Sequence, residues 1–338
     1  MTYSIAIRTL GTAGEKFRQE LLSIAAQTVP PDRVVVYIAE GYPRPEFSVG
    51  KEEYVWVKKG MVAQRALRYD EIESDCVLML DDDVRLAPDS AAKLLEAVEK
   101  QGFDCVAADV FENHKMPFST KLKAALVNWV FPHFGNKWAF KMHRTGSFSY
   151  NWRPEPRCYP SQTCGGPTMM WRKDSFLKIH YEDELWMDSF GFAYGDDALL
   201  SYKLHVNGGK LGVLYDSGVK NLDAGSSSSG FKKSPEWIKV RTLASYMAWW
   251  RMCYRNGEDT AWSRLLATIL FGLKSIWLFL LMMGLSITRL DFKVLSSYVA
   301  GWHEGRRMCR RGFFDGNNTA FQYSGPACSL PGFDSSEG

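Results

Sequence analysis

The chain has 338 residues, of which 46% are hydrophobic and 23% charged, and its formal net charge is +3. This composition is that of a globular protein and excludes a disordered tail protein, a collagen-like chain and a disulfide-rich miniprotein. A charge so close to zero gives no reason to expect a nucleic-acid partner. The charge is uneven, because residues 1–230 carry 27 basic and 30 acidic side chains whereas residues 231–338 carry 14 and 8. We therefore expect the two parts to have different roles.

Strand-like apolar runs and amphipathic helix-like segments alternate along the first part of the chain. The alternation predicts an α/β domain with a mainly parallel sheet, and ligands of such sheets bind beyond the carboxyl ends of the strands. The pattern weakens over residues 112–163, which are rich in aromatic residues, and it resumes from residue 168 to about residue 224. The predicted strands cover residues 4–8, 34–38, 54–57, 76–80, 105–108, 168–171 and 210–214, and the predicted helices cover 15–27, 61–69, 88–100 and 198–205.

The cysteines give little sign of disulfides or of a zinc site. There are seven, an odd number, and no two of them form a C-x-x-C pair. Cys76 and Cys105 lie in apolar, strand-like runs, as buried thiols do. We therefore expect a reducing compartment, and no secretory signal peptide, because a strand pattern starts at Tyr3.

Three consecutive aspartates, Asp81, Asp82 and Asp83, follow directly on the predicted strand 76–80. Adjacent carboxylates repel one another unless a cation or hydrogen-bond donors are near. Hard oxygen ligands of this kind suit Mg²⁺ or Mn²⁺ bound together with a diphosphate. A solvated turn is the simpler interpretation, but the position at the carboxyl end of a strand favours a binding site.

A second acidic pair, Asp196 and Asp197, follows Gly195 at the start of the predicted helix 198–205. Helix capping alone could explain one of the two, because aspartate favours helix N-termini. A general base also needs such a pair, in which one carboxylate takes a proton and the other positions it. The pair by itself leaves both interpretations open.

Two further segments could contact a nucleotide. Glu40 lies just past the second predicted strand, where an acidic residue can bind a ribose hydroxyl, although a polar loop residue is the more common case. Lys59 and Gly60 precede Gln64 and Arg65, which could place a cation near a phosphate. A surface charge is the simpler interpretation of Lys59 alone.

Taken in order, these segments resemble family 2 glycosyltransferases. SIAIRTLGTAGEKFRQELLSIAAQTVPPDRVVVYIAEG resembles the start of the family, and VKKGMVAQRALRYDEIESDCVLMLDDDV resembles the block that ends in its Asp-x-Asp signature. GDDALLSYKLHVNG resembles the Glu-Asp-x-x-Leu-x-x-Arg signature on the acceptor side. The resemblance covers residues 3–224. It implies a GT-A fold and inverting, metal-dependent transfer of a hexosyl unit from a nucleoside-diphosphate sugar, with a UDP-sugar favoured, to a glycan or lipid-linked acceptor.

The resemblance also implies roles on the donor side. Thr9 and Glu40 would contact the nucleoside, Arg65 would lie near the base or the diphosphate, and Asp82 would hold the ribose. Gly60 and Asp81 would complete the donor site. Asp83 would bind the divalent cation, Mg²⁺ or Mn²⁺, that bridges the diphosphate.

On the acceptor side, the resemblance implies that Asp197 is the general base and that Asp196 takes the position of the family's glutamate. Gly165 and Gly166 resemble the glycine pair that lines the pocket. The chain departs from the family in having Glu40 where aspartate is usual and Arg8 where many members have proline. The Gln-x-x-Arg-Trp signature of processive synthases is absent after residue 224, so we expect one sugar per reaction.

The last third of the chain predicts membrane association. Residues 265–287 are apolar except for Lys274 and are long enough to cross a bilayer, but basic residues flank them on both sides. A single crossing would place one basic cluster on the wrong side, so we expect mainly interfacial attachment to the cytoplasmic face of a membrane, with a single span left open. A buried helix or a dimer contact is the alternative.

These features divide the chain into a catalytic domain over 1–230, a helical membrane-associating region over 231–311 and a disordered tail over 312–338. Within the first, residues 112–163 would shape the acceptor site. The aromatic residues there could stack on sugars, although a small core is the expectation for most of them; they are Trp129, Trp138, Phe148, Tyr150 and Trp152. Two other functions stay open: a non-catalytic nucleotide-sugar or glycan binding module, and a sugar nucleotidyltransferase.

Overall fold

The computed structural model describes residues 1–130, 137–166, 168–190, 195–222, 234–255 and 260–314. The strands are β1 Tyr3–Thr9, β2 Val34–Ala39, β3 Glu52–Val57, β4 Cys76–Asp81, β5 Val84–Arg85, β6 Cys105–Ala108, β7 Phe140–Met142, β8 Phe148–Tyr150, β9 Cys158–Ser161, β10 Thr168–Arg172, β11 Leu211–Leu214 and β12 Lys220–Asn221. The α-helices are α1 Glu15–Ala25, α2 Ser90–Gln101, α3 Phe118–Asn128, α4 Lys173–Lys178, α5 Asp196–Val206, α6 Pro235–Trp249, α7 Ala261–Arg289 and α8 Lys293–Arg310. A 3₁₀ segment covers Tyr181–Phe190 and a π-helical segment covers Trp250–Tyr254. The predicted disordered tail lies outside the described residues from residue 315 onward.

One eight-stranded sheet organises the fold, in the order β3-β2-β1-β4-β10-β6-β11-β9. The strands β1 to β4 pair in parallel, β10 runs antiparallel between β4 and β6, and β9 runs antiparallel at the edge. The expected fold class, a mixed α/β domain with a mainly parallel sheet, is confirmed. The strands β2 and β4 are almost continuously buried because helices cover both faces of the sheet.

The two faces of the sheet are filled by alternate residues of the same strands, as the period of two requires. Ile5 and Ile7 of β1 pack with α1 and α2 on one face, whereas Ala6 faces the other. The residues of the second face belong to one hydrophobic cluster with residues of α5, the 3₁₀ segment and α6. The C-terminal helix α6 thus shares a core with the main domain.

The predicted helix over residues 61–69 is wrong, because these residues form a series of turns. The Asp188 carboxylate, from the 3₁₀ segment, accepts the backbone N–H groups of Val62 and Ala63 at 3.0 and 2.8 Å. Tyr69 then adopts a positive φ of 55°, which stops any helix there. The segment therefore begins with a capped turn and ends at Tyr69 without becoming a continuous helix.

Residues 112–163 contain more regular structure than their sequence pattern predicts. They include α3, the β7–β8 hairpin and β9, which completes the edge of the main sheet. Trp152 is buried, and Phe148 and Tyr150 pack against Phe140 of the hairpin. The expected disulfide-free state is also seen, since the described cysteines are all free thiols.

The C-terminal helices pack closely against one another. Gly301 and Gly305 lie on one face of α8 against α6, and a Cβ at Gly301 would come within 2.3 Å of the Lys239 carbonyl oxygen. The apolar segment predicted over 265–287 belongs to α7, which begins at the Thr260 cap and ends at Leu290 in the left-handed region. Among the described residues, α7 is the one helix long and apolar enough to cross a membrane.

One acidic side chain is buried in the core on the α1 side of the sheet. Glu20 has no exposed surface, and neither of its carboxylate oxygens has a hydrogen-bond partner among the described residues. Burial raises the pKa of Glu20 well above its usual range, and the nearby charges of Asp82, Asp81 and Asp83 raise it further. Folding therefore makes Glu20 bind its proton more tightly than the unfolded chain does.

We predict that Glu20→Gln makes the protein more stable at about pH 8 and leaves its stability nearly unchanged at about pH 4. In the folded state the pKa is raised, so wild-type stability falls as the pH rises above the unfolded-state value, and the neutral amide removes that dependence. Urea unfolding at a series of pH values measures the effect, with the exposed Glu15→Gln on the same helix as the control. Parallel pH curves for wild type and Glu20→Gln would contradict the prediction.

Candidate functional site

The candidate site lies where β1 and β4 end side by side. The two strands are parallel neighbours in which Arg8 pairs in register with Asp81, so Thr9 and the aspartate triplet emerge at the same edge of the sheet. The segment between β2 and β4 that carries Arg65 and the start of α5 face this edge. The sequence-predicted residues Thr9, Arg65, Asp81, Asp82, Asp196 and Asp197 are thereby brought together.

The three aspartates have different partners. Asp81 forms a two-point ion pair with Arg8, whose Nη2 lies 3.0 Å from Asp81 Oδ2. Asp82 accepts the Thr9 hydroxyl, and that hydroxyl oxygen in turn accepts the Gly11 N–H at 2.8 Å. Asp83 is half-buried, and its backbone carbonyl accepts the Leu222 N–H at 2.7 Å. The triplet is thus fixed through Asp81, Asp82 and the backbone of Asp83.

Arg65 links the strand-end aspartates to those of α5. Its guanidinium is 4% exposed, and Nη1 lies 2.8 Å from Asp196 Oδ2 and also contacts Asp197 Oδ1. Its Nη2 lies 3.5 Å from Asp81 Oδ1. The second oxygen of Asp197 accepts the Gly166 N–H at 3.3 Å. The Arg65 guanidinium therefore links Asp81 at the end of β4 to the Asp196–Asp197 pair at the start of α5.

The charges of these groups follow from their surroundings. Burial raises the pKa of Asp196 to about 7, and the neighbouring Asp197 carboxylate adds to the shift against the opposing arginines. Burial also raises the pKa of Asp81, but Arg8 and Arg65 outweigh it and hold that pKa below its usual range. The pKa of Asp82 is raised, chiefly by burial. The site is therefore built to keep Asp81 charged, with Asp196 close to its titration range at neutral pH.

The 3₁₀ segment supports both the Arg65 segment and α5. Besides Asp188, which binds the backbone of residues 62 and 63, its Tyr181 hydroxyl donates to the Asp196 carbonyl at 3.2 Å. A Cβ at Gly60 would come within 2.2 Å of the Asp188 carboxylate. Gly60 is expected in the donor site. In the structure it lacks a side chain where the Asp188 carboxylate lies, so a larger residue there would displace that carboxylate.

A buried ionic group joins this support to the C-terminal helices. Glu184 has no exposed surface and accepts Lys203 Nζ of α5 at 3.0 Å and Arg251 Nη2 of the π-helical segment at 2.8 Å. Burial works to raise the pKa of Glu184, but Lys203 and Arg251 outweigh it and the pKa is lowered. Lys203 thus forms part of a buried ion cluster that links α5 to the 3₁₀ segment.

The remaining predicted residues lie at the margin of the site. Glu40 is exposed just past β2, where its N–H donates to the Val57 carbonyl at 2.8 Å. Gly165 is half-buried. Gly166 has a φ of 153° and lies close to the Val110 side chain. The Gly166 N–H donates to the Asp197 carboxylate. The structure thus brings Gly166 to the acidic cluster, whereas the contact described for Glu40 is with the end of β3.

Several residues of the site were missed by the sequence analysis. No role was predicted for Arg8, Asp188, Glu184 or Arg251, although a charged residue in an otherwise apolar strand, as Arg8 is, indicates a buried partner. Gln64 also has a defined place, because its amide donates to the Thr9 carbonyl at 3.0 Å. The partners of these residues are distant in sequence, so spacing gave no signal for them.

Comparison with known proteins gives structural likenesses alone. No protein-family model matches the sequence, and no characterised protein matches it. A crystal structure of GalNAc-T7 with UDP, GalNAc and Mn²⁺ is similar at a TM-score of 0.47 and 11% identity, over 86% of this chain and 58% of that one. The mannosyltransferase PcManGT from Pyrobaculum calidifontis, in complex with GDP-Man and Mn²⁺, gives a TM-score of 0.45 and 12% identity, over 90% of this chain and 86% of that one. The chain therefore spans less than two thirds of the length of the first of these structures.

We predict that Arg251→Ala lowers the free energy of unfolding by roughly 3–5 kcal/mol, because it removes one partner of a buried carboxylate. Urea unfolding monitored by circular dichroism measures the loss. The exposed pair Lys239–Glu304 is the control, since Glu304→Ala should cost about 1 kcal/mol or less. Equal losses in the two variants would show that Glu184 does not hold the C-terminal helices to α5.

Proposed function

We propose that this chain is a metal-dependent, inverting glycosyltransferase that moves one hexosyl unit from a nucleoside-diphosphate sugar, preferably a UDP-sugar, to a hydroxyl of a glycan or lipid-linked acceptor. The observation that carries the proposal is that aspartates from two separate segments surround one buried guanidinium. Arg65 contacts Asp81 at the end of β4 and the Asp196–Asp197 pair at the start of α5. A displacement at a sugar carbon needs acidic groups on both sides, one near the leaving diphosphate and one near the attacking hydroxyl.

The donor set suits a divalent cation that arrives with its substrate. The described residues contain no cluster of three or more histidine, cysteine or acidic side chains arranged as a complete metal cage. Mg²⁺ and similar cations commonly take one or two carboxylates and complete their coordination with phosphate oxygens and water. Asp83 would hold the cation beside Asp82, and the cation would neutralise charge on the leaving diphosphate.

The arginines of the site suit the diphosphate as well. Arg8 and Arg65 are both largely buried, and both are paired with carboxylates. A guanidinium can bind phosphate oxygens in the same two-point manner as it binds a carboxylate. Binding of the donor would therefore draw Arg65 towards the diphosphate and uncover the Asp197 carboxylate.

Asp197 is the general base of the proposed reaction. It is the more exposed member of the pair, with 25% of its side chain accessible against 6% for Asp196. Asp197 would take the proton of the acceptor hydroxyl while that oxygen bonds to the anomeric carbon and the bond from this carbon to the diphosphate oxygen breaks. Asp196, held by Arg65 and Arg8, would position Asp197 and the start of α5.

We predict that the wild-type chain binds one class of nucleotide sugar in a manner that requires Mn²⁺, and that Asp83→Asn abolishes this binding. The physical reason is the loss of a charged ligand to the cation. Calorimetric titration with UDP-, GDP- and dTDP-sugars, first with Mn²⁺ and then with EDTA, measures both effects. Asp89→Asn, at an exposed aspartate near the start of α2, is the matched control.

The titration, combined with assays of sugar transfer and of nucleotide turnover, distinguishes the proposed function from its alternatives. Metal-dependent binding without any transfer to acceptors would favour a non-catalytic binding module. Turnover of a sugar phosphate with a nucleoside triphosphate would favour a nucleotidyltransferase. The absence of nucleotide-sugar binding to the folded chain would remove the basis of the proposal.

We predict that Asp197→Asn retains donor binding but lowers the rate of transfer by about 10²–10⁴-fold, the usual contribution of a general base. Single-turnover transfer of a radiolabelled sugar from the donor identified by titration measures the rate, and calorimetry measures donor affinity. Ser201→Ala on the same helix keeps the acidic pair and is the control for a local change of packing. Transfer at the wild-type rate by Asp197→Asn would show that another group is the base.

A further inference from the structure

The outer face of α7 is a continuous apolar stripe. Leu265, Ile269, Leu273, Ile276 and Leu280 are each between 47% and 59% exposed, and they recur every three or four residues along the helix. This spacing places them on one side of an α-helix. Exposed aliphatic side chains in such a row are unusual for the free surface of a soluble protein and indicate a surface that binds something apolar.

The opposite side of α7 is attached to the rest of the chain over the first half of the helix. Ser263 accepts a hydrogen bond from Arg144, and Lys274 Nζ donates to the Thr145 carbonyl at 3.1 Å. Between these points Phe271 stacks on Trp249 of α6 with ring centroids 4.0 Å apart. A helix of 29 residues is about 43 Å long, so a crossing orientation would pull these polar attachments into the hydrocarbon core. The helix is therefore placed to lie flat on a surface.

A second apolar face adjoins this stripe. Phe118, Leu122 and Leu126 of α3 follow one another at intervals of four residues and are 68%, 44% and 53% exposed. The indole N–H of Trp277 on α7 donates to the Leu126 carbonyl at 2.8 Å, which brings the two helices into contact. The exposed residues of α3 thus extend the stripe of α7 sideways into a broader face.

The charges of the two helices indicate an anionic partner. Neither α3 nor α7 contains an acidic residue. Lys274 is bonded to the Thr145 carbonyl on the attached side of α7, and the other charged side chains of the two helices are Lys121, Lys123, Arg264 and Arg289. Trp262, 72% exposed, lies in the first turn of α7, where an indole suits the boundary between headgroups and acyl chains. An apolar face with basic residues and no acidic ones suits anionic lipid headgroups above acyl chains.

We propose that α3 and α7 together form a membrane-binding platform that lies flat in one leaflet of a bilayer containing anionic lipid, with neither helix crossing it. Here "platform" means the exposed apolar residues of these two helices and the basic residues beside them. The inference adds α3 to the membrane contact and fixes the orientation of α7. It stands on exposure, attachment and charge, and it does not depend on the proposed transfer reaction.

The first test is binding of the full chain to vesicles of phosphatidylcholine, with and without phosphatidylglycerol, followed by flotation. We expect binding that needs the anionic lipid and weakens with salt. Leu122→Glu/Leu126→Glu on α3 and Leu273→Glu/Ile276→Glu on α7 should each weaken it by about tenfold or more, because a charge replaces two inserted apolar groups. Leu22→Glu/Val29→Glu, at two exposed apolar positions outside both helices, should bind as wild type does.

The second test measures how deeply α7 inserts into the bilayer. Nitroxide labels on Leu265→Cys, Ile276→Cys and Ile287→Cys should report one shallow depth along α7 in these vesicles, after subtraction of the signal of labelled wild type. A crossing helix would instead place position 276 deepest and the two ends at opposite surfaces. That result would overturn the flat orientation, and wild-type binding by the α3 variant would remove α3 from the platform.

A second copy of the chain is the competing occupant of this face. A dimer in solution that Leu273→Glu/Ile276→Glu converts to monomer, with no vesicle binding by wild type, would overturn the proposal in favour of that interface. Asp197→Asn should bind vesicles as wild type does, so failure of the proposed chemistry and failure of the platform give different results. Circular dichroism of each variant shows that a loss of binding is not a loss of folding.

Discussion

The arrangement of the site depends on a buried arginine that three carboxylates share. Arg65 is placed between Asp81 at the end of β4 and the two aspartates that begin α5. Without a cation these carboxylates would repel one another, and without them the guanidinium would be buried and unpaired, which is costly in either case. The ion cluster therefore fixes the distance between the sheet edge and α5, and with it the space in which two substrates would meet.

A second buried ionic group connects that cluster to the last third of the chain. Glu184 binds Lys203 on α5 and Arg251 beyond α6, and Asp188 of the same 3₁₀ segment accepts the backbone N–H groups of Val62 and Ala63. The C-terminal helices are thus joined to the elements of the candidate site by buried charges as well as by apolar packing. A displacement of these helices would therefore also shift the 3₁₀ segment, whose Tyr181 hydroxyl donates to the Asp196 carbonyl at the start of α5.

The proposed platform and the proposed reaction fit together in space. The segment that carries α3 and the β7–β8 hairpin is the one expected to shape the acceptor site, and it is also the segment attached to α7 through Thr145 and Leu126. A chain that lies flat on a leaflet through this segment would present its acceptor side to lipids. A lipid-linked acceptor would then reach the site without leaving the membrane surface, which makes it the more natural of the two proposed acceptor classes.

The sequence by itself determined the elements whose signals are local. Continuous apolar runs gave the buried strands, period 3.6 gave most of the helices, and the aspartates at the end of β4 and the start of α5 marked the site because strand ends and helix starts are readable along the chain. Only the tertiary structure decided the partners of those residues. Arg8 and Asp188 act through contacts more than 70 residues away, and α3 meets α7 across 151 residues. Such pairings depend on how the layers pack, and side-chain spacing along one segment carries no information about them.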